Sequence, residues 1–411
     1  MKRFLLLRTA PDYRRLFLAT LTSGVGTYLA AIALTVDVYD RTGSGKWVSA
    51  LLVAEFLPMV LVGLLLGPLV DRLSRRRLMI ASDLVRIVVF CLLPFAGSPG
   101  VVVALALVAG FATGFFRPAV YAGLPNLVDD EELPAANSLL QAVENLTWMV
   151  GPVVGGLLLA VRGPDLAYWV NAVTFLLSAL LLVRIPAARL RAGLTESRGH
   201  WQDVGDGVRA VIGSRALVLV LVVWNVVLLG VAAVNVSEVV LAKVSLDAGD
   251  VGFGILVGAT GLGLTLGSLA AATLLDRLGV RLAYAGGILL MASGFGVAAI
   301  APSLPVAVAG VVVGAFGNGA AVVCNALLVQ RGASDEVRGR AFTVIMSSNY
   351  ILLGLGMVVA GPLVDAFGAR WLWGGASVLF LLAAATAVVL ARNLHVEVEE
   401  AHVEPALASR V

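Results

Sequence analysis

LVDRLSRR, residues 69–76, returns as LLDRLGVR at 274–281, about 205 positions further on. Each copy follows an apolar run and places its charges in a short loop before the next run begins. Two more pairs keep that offset, AGFATG (109–114) with GAFGNG (314–319) and VTFLL (173–177) with VLFLL (378–382). A looser pair, GPVVGG (151–156) with GPLVDA (361–366), sits at an offset of 210. The chain therefore reads as two parallel copies of one architecture, a design that puts a binding site between the repeats.

The runs between these loops say which architecture it is. Of 411 residues, 60% are hydrophobic and 13% charged, against roughly 45–50% and 25% in soluble domains. Mean hydropathy is +0.97. Polar residues this scarce cannot coat a globule, so lipid must be the solvent. A spanning helix needs about 20 apolar residues. Twelve such runs occur, near 16–39, 47–70, 78–96, 101–127, 135–161, 166–185, 216–240, 251–275, 281–301, 305–329, 340–364 and 371–391. They are continuous, which excludes a β-barrel with its alternating strands. The expectation is an all-α membrane protein with twelve transmembrane helices in two pseudo-symmetric six-helix bundles. The bundles would be 1–185 and 216–392, with a linker at 186–215 and a tail at 393–411. Within the linker, Trp201, Val204, Val208, Val211 and Ile212 recur at helical spacing, the pattern of a short amphipathic helix on the leaflet surface.

Lys and Arg set the orientation. With both termini cytoplasmic, 22 of the 29 basic residues fall on that side and five on the other: Arg41, Lys46, Arg162, Lys243 and Arg370. Arg86 and Arg117 remain, inside spans. That bias is the positive-inside rule, and it predicts a multi-pass membrane protein with both termini cytoplasmic. The net charge of +3 then records topology and not affinity for nucleic acid. The start, MKRFLLLRTAPDYRR, lacks a small-residue cleavage site and reads as a lead-in to the first span.

The loop from Gly67 to Arg77, GPLVDRLSRRR, resembles the G-x-L-x-D-R-x-G-R-K signature of the major facilitator superfamily, with Ser74 where glycine is usual. The resemblance covers essentially the whole chain. It implies a cytoplasmic gate in which Asp71 faces the start of the eleventh helix, a favourable place for a carboxylate, while Arg72 and Arg75 pair with nearby acids. GPVVGG in the fifth run resembles the motif of the drug/proton antiporters of that family, with Ser138 and Thr147 at its upstream glycine positions. PDYRRLF, the TGS after the first run and LPNLV…ANSLLQ look like the branch holding macrolide efflux proteins, the enterobactin exporter and transmembrane secretion effectors. The chain departs from the family in its fourth run, where Arg117 follows Gly114 although the family places its arginine before the glycine. Gly151, Pro152, Gly155 and Gly156 would bend the fifth helix and bring it close to its neighbours.

Other chemistries find no support. GSGK at 43–46 ends like a phosphate-binding loop, but that loop needs Gly at 40 and Ser or Thr at 47, where Asp40 and Trp47 stand. The histidines, His200, His395 and His402, lie in the linker or tail, and Cys91 and Cys324 lie in different halves. Neither set has metal-ligand spacing. We expect no metal, no cofactor and no enzyme activity.

Ionisable residues inside spans cost several kcal/mol each unless paired or hydrated. Asp83 and Arg86 are three apart and can pair along a helix, which would brace the Asp71 loop. Glu55 lies about 12 Å and Glu144 about 15 Å from the outer surface, taking 1.5 Å per residue. Arg117 falls at a depth similar to Glu144, so the two can be neighbours. Asp37 and Glu238 sit near outer helix ends. We read Glu144, Arg117, Glu55 and Asp37 as candidates for proton coupling. Gln141, Trp148, Asn225, Asn318, Asn349 and Tyr350 are candidates for a central substrate cavity with Arg117 and Glu144. Aromatic walls with few polar anchors suit an amphipathic compound. The expectation is a monomeric secondary exporter, its partners protons, membrane lipids and an amphipathic small molecule. A lipid or lysolipid flippase, or a transport-inactive sensor or scaffold, is the alternative.

Overall fold

The computed structural model describes residues 2–65, 73–190, 200–333 and 335–391. Ten helices there are long and apolar enough to cross a bilayer, and two of these are double. Residues 133–183 break at Arg162 (φ −146°) and Gly163 (φ 68°), and residues 249–300 break at Gly279 (φ 72°). Both breaks use glycine at positive φ, where a side chain would be strained. Separating each double helix at its break gives the twelve spans. They are α1 (Pro11–Thr42), α2 (Gly45–Leu65), α3 (Arg75–Leu92), α4 (Pro99–Gly123), α5 (133–161), α6 (164–183), α7 (Arg215–Val240), α8 (249–278), α9 (280–300), α10 (Leu304–Gly332), α11 (Asp335–Phe367) and α12 (Ala369–Leu390). A separate helix, His200–Gly213, lies in the linker; its Val211 is buried and its Ile212 exposed.

By contact the chain divides into two units, residues 1–196 with 236–261 and 357–368, and residues 197–235 with 262–356 and 369–411. In the first, α1 runs along α5 and α6. A Cβ on Gly155 would stand 2.7 Å from the Leu29 carbonyl oxygen, and one on Gly26 would collide with Asn171 and Thr174. Likewise α4 lies against α2, where a Cβ on Gly110 would meet the carbonyls of Ala54 and Glu55 at 2.8 Å. Arginines close the end of this unit that carries the N-terminus. Arg76 donates to the carbonyls of Leu182 and Val183, and Arg15 to that of Arg184 at 3.0 Å. These carbonyls lie at the C-terminus of α6, where cations belong.

The second unit repeats the scheme. Gly267 and Gly319 bring α8 against α10, Gly294 and Gly310 bring α9 against α10, and Gly230 brings α7 against Phe380 of α12. Phe295 meets Trp373 edge-on and Phe380 at a tilt, each at 5.6 Å between ring centres. The linker helix docks on α11 through Arg340 and Asp206, 3.1 Å apart.

These contacts predict opposite outcomes for two glycines. A Cβ at Gly294 would run into the backbone of Gly310 and Gly314, whereas Gly374 in α12 has nothing within 4 Å. Gly294→Ala should cost about 1–3 kcal/mol by overpacking, and Gly374→Ala should be neutral or gain up to about 1 kcal/mol. Thermal unfolding of both variants in detergent measures the difference.

Candidate functional site

A cavity of about 210 Å³ opens among α1 to α5 of the first unit. Thr20, Ser23, Thr27 and Tyr28 of α1, Met59 of α2, Arg86 of α3, and Thr113, Phe116, Arg117, Val120 and Tyr121 of α4 line it, with Val143, Glu144 and Thr147 of α5. At its centre Arg117 faces Glu144. The guanidinium donates from Nε to Oε1 at 3.2 Å and from Nη2 to Oε2 at 2.6 Å. This two-pronged geometry is the strong form of the pair. Tyr121, one helical turn beyond Arg117, donates its hydroxyl to Oε1 at 3.0 Å. Half of the Arg117 side chain remains accessible, so the pair stands in the cavity wall and is not sealed in the core.

The hydroxyls are partly committed. Thr20, Thr27, Thr113 and Thr147 each donate to a carbonyl of their own helix, at 3.0, 2.8, 3.0 and 3.0 Å. Their lone pairs remain for a ligand. Arg117 is likewise occupied by Glu144. Around these groups the wall is methyl and aromatic.

Asp83 and Arg86 do pair, at 2.6 Å, but as a buried node in α3. Ser178 of α6 donates to Asp83 at 2.7 Å, and the guanidinium lies 4.5 and 4.2 Å from the ring centres of Phe116 and Phe175. The pair therefore ties α3 to α4 and α6. Arg75 opens α3, while Asp71 and Arg72 lie outside the described residues. Asp37 is buried and fully engaged: it accepts from Arg41 at 2.7 Å and from Tyr168 at 2.9 Å. Tyr168 and Arg41 were not foreseen as its partners. Glu55 packs beside α4, outside the cavity lining, and Glu238 is buried with Oε1 unpartnered.

Gln141 is exposed and turns to Asn145 at 3.2 Å, and neither it nor Trp148 lines this cavity. Asn225, Asn318, Asn349 and Tyr350 belong to the second unit. There Asn225 donates to Ser348 at 2.7 Å, and the side-chain oxygens of Asn225, Asn318 and Asn349 are buried without a partner. The sequence reading missed the α1 wall and Tyr121. Thr20, Ser23, Thr27 and Tyr28 recur at helical spacing, and Tyr121 lies at i+4 from Arg117, so the signal was present as a polar stripe.

The fifth helix is not interrupted at its proline. The α5 backbone continues through Pro152, and the break comes ten residues later at Arg162 and Gly163. The glycines serve close approach instead. Gly151 and Gly155 meet α1, and a Cβ on Gly156 would stand 2.9 Å from the Asp250 carbonyl and 3.2 Å from the Cα of Gly254 on α8.

Twelve spans in two repeated sets of six, with a charged pair in a cavity wall of the first unit, are the arrangement of a membrane transporter. The profile of the Major Facilitator Superfamily matches residues 16–242 and again 225–409, and the chain belongs to that family. It is 29% identical over 390 residues to the multidrug efflux pump Tap of Mycolicibacterium fortuitum, covering 91% of this chain and 94% of the relative. The Tap of Mycobacterium tuberculosis (strain ATCC 25618 / H37Rv) is 28% identical over 379 residues, covering 87% and 88%. Among solved structures, a bacterial homologue of the iron transporter ferroportin superposes with a TM-score of 0.76 at 14% identity, over 94% of this chain and all of that one.

The two charged pairs should respond differently to loss of one partner. Asp83→Asn strands a buried guanidinium and should cost about 3–5 kcal/mol. Glu144→Gln leaves Arg117 facing an accessible cavity and should cost less than about 1 kcal/mol. Melting temperatures of the two purified variants decide it.

Proposed function

We propose that the protein is a secondary exporter of the bacterial inner membrane that expels an amphipathic organic compound in exchange for protons. The observation that carries this is the Arg117–Glu144–Tyr121 cluster in the cavity wall of the first unit. A proton on Glu144 removes the charge that holds Arg117, and its departure restores the pair. Coupling follows if protonation changes the relative energies of the outward-open and inward-open states. The resemblance to Tap pumps supports export as the direction. Basic residues concentrated at one end support cytoplasmic termini.

The wall supports an amphipathic substrate. Threonine lone pairs offer acceptors, Arg117 is engaged by Glu144 and Arg86 by Asp83, and the remaining surface is mostly apolar. A compound with an apolar body and a few N–H or O–H donors meets that wall best. Sugars would need denser hydrogen bonding. No observation favours a flippase over this reading.

The test is transport by purified protein in liposomes, with dyes as substrates and an imposed pH gradient. Wild-type protein should accumulate dye uphill, and collapse of the gradient should abolish accumulation. Glu144→Gln, which keeps size and cannot titrate, should bind dye and exchange it while losing uphill transport to near background. If the Gln variant pumps normally with unchanged pH dependence, Glu144 is not the coupling site.

A further inference from the structure

The TGSGK segment at 42–46 fails as a nucleotide loop, yet it does hold an anion, and the anion is a carboxylate of this chain. Gly43 ends α1 at φ 60°, and α2 starts at Gly45. Asp365, in the last turn of α11, accepts from the backbone N–H of Gly45 and of Lys46, the latter at 3.4 Å, and from the Ser44 hydroxyl at 2.8 Å. Two of the orphan donors of α2 thus point at a side chain some 320 residues away, where the helix dipole favours negative charge.

Three features separate this from ordinary capping. The Ser44 hydroxyl already accepts from Lys46 N at 3.3 Å, so α2 keeps a cap of its own when Asp365 leaves. Asp365 is exposed, so water can take its place. The contact beneath is built for close approach: a Cβ on Gly361 would stand 2.7 Å from the Ser49 Cβ and 3.0 Å from the Gly45 carbonyl, and Ser49 donates to the Met357 carbonyl. A second polar contact lies at the same end, where Lys243 bridges Asp40 and Asp250.

We propose that Asp365 is the outer latch of the transport cycle: its carboxylate, docked on the N-terminus of α2, holds the outer end closed, and its release opens the path to the outside. The latch rests on the exporter reading only in requiring an outward-open state. The pentapeptide GPLVD at 361–365 also stands at 67–71, just beyond the last described residue of α2, so α2 and α11 are followed or ended by the same five letters.

The experiment needs neither substrate nor gradient. Thr27→Cys in the cavity wall is the reporter, in a protein with Cys91 and Cys324 replaced, labelled by a membrane-impermeant maleimide in right-side-out and inverted vesicles. Asp365→Ala should raise labelling from outside about threefold to tenfold, the scale of losing a capping side chain, and lower it from inside. Asp365→Asn retains an acceptor without charge and should fall between; it also reads the contact if the alanine variant does not fold. Asp165→Ala, an exposed acid near the start of α6, should change nothing. External labelling that is present but independent of residue 365 overturns the latch and leaves the exporter standing. A reporter never reached from outside in any variant overturns the latch and the alternating-access reading together.

Discussion

Helices in lipid gain nothing by hiding apolar side chains, because the solvent is as apolar as they are. What remains to hold them is close backbone approach and polar contact, and this chain depends on the first. Gly151 and Gly155 let α5 lie on α1, Gly110 and Gly114 let α4 lie on α2, and Gly294, Gly310 and Gly314 do the same for α9 and α10. The same contacts leave leucines and valines such as Leu84, Val88, Leu176 and Leu180 exposed to what would be the acyl chains. Once backbones meet at glycine, the space left among α1 to α5 is a consequence, and that space is the cavity.

Polar groups then sort by whether the close packing can satisfy them. Asp83 has its pair, its serine and two rings around the guanidinium, and although Arg86 reaches the cavity wall, only 2% of its side chain is accessible. Such a node has one arrangement, and changing its charge strands a buried ion. Arg117 and Glu144 are joined just as closely, but the cavity beside them leaves half of the arginine accessible. Only the second kind of pair can separate and re-form at modest cost, which is what a coupling device requires.

Sequence reading recovered the twelve spans because apolar length is a property of the segment itself. The repeats and Arg117's match in depth to Glu144 came through for a related reason, since helical rise converts position into height. It did less well wherever azimuth mattered. Gln141 and Glu144 are three apart on α5, yet the carboxylate lines the cavity while the amide turns to Asn145. Which neighbour a face meets is decided by packing of helices remote in sequence. Asp37 shows the same limit: a carboxylate near a helix end reads as solvated until Tyr168 of α6 is placed beside it. The end of α5 shows a different limit. Pro152 leaves the helical backbone of α5 uninterrupted, and the reversal falls to Gly163, where positive φ costs least.

A helix start exposes N–H groups that need an acceptor, and the solutions differ in permanence. At Pro99 the local Ser98 hydroxyl accepts from Val101, a contact within one loop that has no reason to change. At Gly45 the acceptor comes from the far end of another helix, alongside a serine that already caps the neighbouring N–H of Lys46. An interaction duplicated by a local group is dispensable for folding the helix it caps. Its value must then lie in which two helices it joins. The rejected phosphate loop and the Asp365 contact are therefore one observation seen twice: the backbone at 43–46 suits an anion, and the chain supplies that anion from a helix end.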